Sequence, residues 1–485
     1  MSRRISVGPF NRVEGDLEVN LEISGAAVSS AKVNSTLYRG FEQILQGKHP
    51  MDALVYTPRI CGICSVSQSV ACAYALADAI KVDMPRNGEL CTNLILANEN
   101  MADLLTHFYL FFMPDFARDQ YRSADWYDKV ANRFRAIKGD ASREMLPARA
   151  EFLHLMGLLA GKWPHSLSIQ PGGTAKPVEP QERIRIIAIL SGFRRFLETR
   201  LFGDSLERMA SLSSVSELQS WQHEQPWLSS DLRIFLHLSD QLQLNQLGRS
   251  CDRFLSYGNY LSGGERAFRA GVVDATGKAL ALDPALITED ISHAWMSGQT
   301  RAQHPINGVT QPSLDNPEGY SWCKAPRLDN RVVEVGALAR QLVNRHPLIE
   351  DLVSSSGGNV QNRMLARLLE LALVIPQMEQ WAREIDPLQP FCHQGELPEH
   401  ADGVGMVEAA RGSLGHWLSI RDGRIANYQI IAPTTWNFSP RDQQGIPGAL
   451  EQALAGAPVL AGETDPVAVQ HIVRSFDPCM VCTVH

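Results

Sequence analysis

The sequence predicts an α+β fold, predominantly helical, with small sheet pieces near both chain ends and a single domain over residues 1–485. Three observations carry this. Leu17, Val19, Leu21 and Ile23 alternate with Glu18, Asn20 and Glu22, the period of a half-buried strand. Long helix-patterned stretches fill the middle of the chain. The segment from Leu418 to Ile431 then returns to an extended pattern, with a turn at Asp422-Gly423.

Taken in order, Ser24-Gly25 reads as the turn ending the first strand. An Ala-rich helix spans Ser65 to Ile80 and stops before Pro85. A second helix runs from about Gly88 to Phe112, with Pro114 just beyond its end. Further helices are expected at 181–210, 338–353 and 360–383, with loops at Gln170 to Gly173 and Ser354 to Gly358. A last helix, from about Pro466 to Phe476, stops before Pro478. No internal repeat or low-complexity tract is visible.

Composition narrows the function classes. The 485 residues are 44% hydrophobic and 20% charged, ordinary for a globular protein. A chain this long buries a large core without staples, so a metal pattern points to function. The net charge is −8 with no basic cluster, which argues against nucleic acid as a partner. The arginines at 3 and 4 precede no apolar stretch, and no apolar run approaches the length of a membrane span. The expectation is a cytoplasmic protein with no membrane span.

Nine cysteines are present. An odd count spread over a large chain does not suit a disulfide framework. Cys72, Cys91, Cys251, Cys323 and Cys392 stand alone and are expected to be small buried hydrophobes. The other four form two Cys-x-x-Cys pairs, Cys61 with Cys64 and Cys479 with Cys482. Two intervening residues let both sulfurs of a pair converge on one metal. A zinc ribbon spaces its pairs by about 15–20 residues, whereas here 479 − 64 = 415 positions separate them. A redox dithiol lacks a thioredoxin-like context. The remaining possibility is a four-thiolate site for a soft transition metal, which requires the fold to bring both chain ends together.

The surroundings of these pairs carry a resemblance. Arg59-Ile60-Cys61-Gly62-Ile63-Cys64 and Asp477-Pro478-Cys479-Met480-Val481-Cys482-Thr483-Val484-His485 resemble the two signatures of nickel–iron hydrogenase large subunits. Arg12-Val13-Glu14-Gly15, Arg39-Gly40-Phe41-Glu42, His107-Phe108-Tyr109, Ala410 to Trp417 and Tyr428 to Asn437 match in the same order. The resemblance runs from residue 12 to residue 485 and implies the large-subunit fold. It implies nickel on all four cysteines, with Cys61 and Cys479 terminal. Cys64 and Cys482 would bridge to an iron carrying carbon monoxide and cyanide.

It further implies heterolytic splitting of H2, a terminal thiolate such as Cys479 accepting the proton, and Glu14 relaying it. Taken alone, Asn11-Arg12-Val13-Glu14-Gly15 would read as a strand with Glu14 a surface or salt-bridged side chain; the wider match favours the relay. Glu42, His485 and the backbone carbonyl of Ile430 are implied ligands of a magnesium ion. Arg411, Asp103 and Asp477 would form a charged layer over the metals, though such a trio is also a common structural ion-pair cluster. Thr434 would hydrogen-bond a cyanide, and Leu414 would line the carbon monoxide side. His416 and Trp417 are expected to be structural. Because no iron–sulfur pattern remains, electrons must leave through an iron–sulfur small subunit. Metal-insertion maturation proteins are further implied partners.

The departures bear on subtype. Gln68 stands where catalytic members usually have His; it can hydrogen-bond a bridging sulfur but cannot become cationic near neutral pH. Asp16 replaces a usual His and Ala410 a usual Pro. Ile63 replaces a frequent Val and Phe111 a frequent Leu; both add bulk where the family has its gas channel, although core repacking would also accommodate them. With no extension after His485, these features resemble the hydrogen-sensing, regulatory subgroup, which turns over slowly and signals to a histidine kinase. The alternatives are a catalytic uptake hydrogenase and a non-enzymatic scaffold like the quinone-site subunit of respiratory complex I, which lacks the cysteine quartet.

Overall fold

The computed structural model describes residues 2–485. Three strands open the chain: β1 (Ser2–Val7), β2 (Leu17–Ser24) and β3 (Ala27–Ser35), paired antiparallel in the order β1-β2-β3. The alternation in β2 sends Leu17, Val19, Leu21 and Ile23 into the core, as the sequence pattern requires. Gly25, at φ 64°, makes the turn.

The helical body begins with α1 (Ser65–Ile80) and α2 (Arg86–Thr106). The α-pattern of α2 yields to a wider turn over His107–Phe112, so the expected single helix to Phe112 changes character at His107. Next come α3 (Asp140–Ala160), which the sequence pattern does not announce, and α4 (Pro180–Phe196). A mid-chain hairpin, β4 (Phe254–Ser262) with β5 (Glu265–Val273), is likewise absent from the sequence expectation. The helix expected over 338–353 is two helices, α5 (Ala337–Val343) and α6 (Pro347–Ser356). Pro347 disfavours helical backbone at His346, and Arg345 turns to φ 64°. The long α7 (Val360–Glu384) follows.

Near the far end, β6 (Ala401–Ala409), β7 (Gly412–Arg421) and β8 (Arg424–Ile431) form an antiparallel sheet in that order. Asp422 and Gly423 both have positive φ, the conformation a tight hairpin turn needs. The last long helix is α8 (Val467–Ser475), and a short helical turn at Met480–Thr483 follows it.

Two packing relations place the paired cysteines. Helix α1 lies directly on β6: a Cβ at Gly405 would sit 1.9 Å from the Ala71 carbonyl oxygen, so only glycine permits this approach. One buried cluster runs from Val7 to Cys482 and includes all four paired cysteines. Among the described residues, no helix is long and apolar enough to cross a membrane.

Candidate metal centre

Cys61 follows a short turn over Thr57–Ile60 in extended conformation, and Cys64 is the residue before α1. Cys479 is extended after Pro478, and the short helical turn Met480–Thr483 brings Cys482 round beneath it. The two chain ends meet as required. Sγ–Sγ distances are 3.5 Å for Cys61–Cys479, 3.0 Å for Cys64–Cys482 and 3.0 Å for Cys479–Cys482. All four ligand atoms lie within 4.8 Å of one another, and all four residues are buried. These separations far exceed a disulfide bond of about 2.05 Å. The sulfurs surround a common point.

Their electrostatics fit a cation. Hydrogen bonds from Cys479, Cys482 and Cys64 hold the Cys61 thiol well below its ordinary value. The contacts with Cys479, Cys482 and Cys61, together with burial, push Cys64 well above it. Burial pushes Cys479 up, against hydrogen bonds with Cys482 and Cys64, and burial followed by the contacts with Cys479 and Cys61 pushes Cys482 well up. The cluster thus stabilises one thiolate and resists more. Four thiolates here call for a metal, which deprotonates coordinating thiols outright. Among the described residues this is the only tight group of three or more such ligands. Of the five remaining cysteines, Cys72, Cys91 and Cys323 are buried as expected, while Cys251 and Cys392 are partly exposed.

The second pair is docked against the N-terminal loop. The Met480 amide donates to the Glu14 carbonyl at 2.7 Å, and Gly15 leaves room for it, since a Cβ there would meet Met480 Cβ at 3.1 Å. Glu14 is half-buried. Burial and then the Cys61 charge raise its pKa, against Arg411 and Arg39. Arg39, a member of the matched Arg39-Gly40-Phe41-Glu42 segment, carries no role in the sequence expectation. Its guanidinium donates to the carbonyls of both Ile60 (2.5 Å) and Val481, tying the two pairs together. The loop before Glu14 is held by Arg474, which donates to Asn11 at 2.7 and 2.8 Å. Buried Asp115 accepts from Arg474 at 2.8 Å, from Arg118 at 2.9 Å and from Arg12.

Arg411 lies in the turn between β6 and β7. It donates to both Asp103 oxygens at 2.5 and 3.2 Å, and to the Asp477 carboxylate and carbonyl at 3.2 and 3.1 Å. The three expected charged residues do come together. Burial pushes Asp103 up to about 7, against the pull of Arg411. Burial also opposes ionisation of Asp477, but Arg411, His107 and Arg367 outweigh it and hold that carboxyl below its ordinary value. Asp477 adopts φ 56°, and its Oδ2 has no partner.

The Thr434 hydroxyl oxygen accepts from the Cys479 amide at 3.1 Å, which leaves its own proton free to donate. Leu414 is buried on β7. Gln68 lies in the first turn of α1. Its Oε1 is 2.8 Å from His416 Nε2, and His416 Nδ1 is 2.8 Å from the Tyr428 hydroxyl. Burial drives His416 down to about 3, so the ring is neutral. With Gln68 Oε1 accepting from Nε2–H, the Gln68 amide NH2 remains buried and without a partner. Ile63 is half-buried between the first two cysteines. Phe111 packs edge-on to His107, whose Nε2 is 4.0 Å from Asp477.

Glu42 and His485 also meet: Glu42 Oε1 is 3.2 Å from His485 Nε2. The Ile430 group that contacts Glu42 is its amide N–H, donating at 2.8 Å, not its carbonyl. Lys324 completes this buried group, 3.4 Å from Glu42, 3.0 Å from Glu289 and 2.8 Å from Gln429 Oε1, with Thr310 donating to Glu42. Sequence alone does not place Lys324, Glu289, Gln429 or Thr310, because none lies in a matched segment except Gln429. Two carboxylates share one ammonium, and Glu289 Oε1 has no partner. This donor set of hard oxygens suits a further cation.

The comparisons agree with this geometry. The nickel-dependent hydrogenase family matches residues 39–131 and 143–485. The periplasmic [NiFeSe] hydrogenase large subunit of Desulfomicrobium baculatum is 28% identical, covering 99% of this chain and 95% of its own. The hydrogenase-2 large chain of Escherichia coli is 27% identical over 100% and 97%. The uptake hydrogenase large subunit of Bradyrhizobium diazoefficiens is 26% identical over 100% and 95%. The solved D. baculatum [NiFeSe]-hydrogenase superposes with a TM-score of 0.86 at 27% identity, both chains being fully covered. With four buried cysteines converged from opposite ends of such a chain, this protein belongs to the nickel-dependent hydrogenase family, as the large subunit of a nickel–iron hydrogenase.

Proposed function

We propose that this subunit splits H2 heterolytically, passes electrons to an iron–sulfur small subunit, and serves as a cytoplasmic hydrogen sensor that signals to a histidine kinase. Residues 1–485 act as one unit. Cys61 and Cys479 would hold the nickel as terminal ligands, and Cys64 and Cys482 would hold both the nickel and an iron carrying carbon monoxide and cyanide. The facing pairs support this assignment, since Cys61 lies opposite Cys479 and Cys64 opposite Cys482. When bound, the metal pair supplies the Lewis acidity that polarises H2.

The chain supplies the rest. The Cys479 sulfur takes the proton, and Glu14, bridged to that residue through its backbone, carries it outward. Arg411 fixes a positive charge over the site, held by Asp103 and Asp477. Thr434 would donate its free hydroxyl proton to a cyanide, and Leu414 would line the carbon monoxide side. Glu42, His485 and the Ile430 backbone would hold a magnesium ion, and metal-insertion maturation proteins would load the centre.

The observation carrying the sensor reading is Gln68. It is buried, oriented by His416, and offers a donor whose charge does not change with pH. Ile63 and Phe111 add bulk beside the cysteines and His107. The test is H2 oxidation by the purified heterodimer in air. Slow, oxygen-tolerant turnover is expected, and Ile63→Val with Phe111→Leu should make it oxygen-sensitive. Fast, oxygen-sensitive turnover of the wild type would favour the second reading, a catalytic uptake enzyme, which the name of the Bradyrhizobium diazoefficiens relative supports.

A further inference from the structure

The turn carrying Cys61 and Cys64 leads straight into α1, and the Cys64 side chain makes no capping bond there. The first amides of a helix have no partner within it. Here two of them find one outside. The amides of Val66 and Ser67 donate to the carboxylate of Glu99 at 2.8 and 2.9 Å. The Ser65 and Ser67 hydroxyls donate to it at 3.3 and 3.2 Å, and the Trp163 indole N–H at 2.9 Å.

Glu99 is 2% exposed. Among the described residues, no lysine, arginine or histidine lies within salt-bridge distance of it. Its charge is therefore held by five donors and the positive end of α1, not by an ion pair. Burial pushes its carboxyl up to about 7 against those donors. An uncharged amide in its place would turn an NH2 toward N–H donors.

The place of Glu99 in α2 matters. Asp103 lies four residues on, one helical turn along the same face. Asp103 holds Arg411, which holds Asp477 beside the second cysteine pair. Glu99 holds the residues that follow the first pair. One face of one helix thus addresses both halves of the quartet. The same turn is gripped from its other side, where the His165 amide reaches Ser65 Oγ at 3.4 Å and His165 Nδ1 lies 3.0 Å from the Pro58 carbonyl.

We propose that Glu99 is a positioning residue of the metal centre: a carboxylate cap, lent by α2 to the start of α1, that sets where the Cys64 sulfur stands. The proposal rests on the nickel–iron reading of the quartet and concerns a residue that touches no metal. Glu99→Gln keeps the size of the side chain and removes one of two acceptor oxygens. Ser67→Ala removes a single donor and leaves the backbone bonds intact.

Both variants are to be matured in the full heterodimer, with infrared spectra of the iron-bound carbon monoxide and cyanide recorded beside metal content and melting temperature. For Glu99→Gln the bands should shift and broaden at near wild-type metal content, and H2 oxidation should fall by roughly ten- to a hundred-fold, the cost of misplacing a reacting group by a fraction of an ångström. Ser67→Ala should shift the bands in the same direction by less, which keeps the proposal testable if Glu99→Gln does not accumulate. A lowered melting temperature with unshifted bands would mean an ordinary helix cap and would overturn the positioning role. Absence of the bands from the wild type would instead overturn the metal reading beneath it.

Discussion

Replacing Arg411 with lysine keeps the charge and removes the fork. The guanidinium now makes four bonds, two to Asp103 and two to Asp477. An ammonium on a flexible stem satisfies the two carboxylates less completely. Hydrogen bonds to charged groups contribute about 1.5–3 kcal/mol each, and lysine re-forms roughly half of them. The two bonds not re-formed amount to about 3–6 kcal/mol at this layer. If that loss falls on the transition state, each 1.36 kcal/mol is about tenfold in rate, so H2 splitting slows by roughly 150-fold or more. Isotope exchange between H2 and deuterated water reads the splitting step without needing electron transfer to the small subunit. Infrared spectra confirm that the centre has been assembled. An exchange rate within threefold of wild type, with unshifted bands, would refute the idea that Arg411 acts through its positioned charge.

Glu14→Gln preserves shape and removes the group that takes the proton. Isotope exchange should drop by about a hundredfold or more while the infrared bands stay in place, and retained exchange would point to another exit. Asp115→Asn leaves Arg12, Arg118 and Arg474 facing a neutral amide in the core. Breaking a buried pair in this way costs about 3–5 kcal/mol, to be read as a lower melting temperature. Burial alone would raise the Asp115 pKa, but His471, Arg474 and Arg12 hold it well below 3.8. Its stabilisation is therefore complete above that value and is lost as pH falls further, so the wild type should lose stability below about pH 4 along a slope that the variant lacks.

Much of the fold could be read from local pattern. The ends of α1 match expectation because Pro85 and the alanine-rich periodicity act over a few residues. The hairpin turn at Asp422-Gly423 carries its own conformational demand. What escaped depended on partners far away in sequence. Helix α3 contains Pro147, which reads as a break until packing overrides it. Strand β4 is buried at nearly every position, so it lacks the alternation that marks a strand. The site divides in the same way. Motifs pointed to the cysteines, Arg411 and Glu42. Arg39, Lys324, Glu99 and Asp115 became visible only once the fold set them beside carbonyls, amides and carboxylates from elsewhere in the chain. No spacing rule encodes those meetings.

How the last seven residues are held shows why the cysteine pairs sit so far apart. Ordering Cys479 to His485 costs about 10 kcal/mol at roughly 1.5 kcal/mol per residue. Five hydrogen bonds oppose this. Thr434 accepts from the Cys479 amide, Glu14 from the Met480 amide, Arg39 and Thr435 donate to the carbonyls of Val481 and Thr483, and His485 meets Glu42. At about 1 kcal/mol each they contribute about 5 kcal/mol. Burial of Met480 and Val484 adds about 4 kcal/mol. The balance lies near zero. The protein's own contacts align the second cysteine pair without fastening it, and thiolate–metal bonds then decide whether the segment stays down. A ligand pair held this marginally by protein contacts depends on the metal to stay in place, and in place it leaves all four cysteines buried. A ribbon with both pairs in one short loop would depend far less on contacts made across the whole chain.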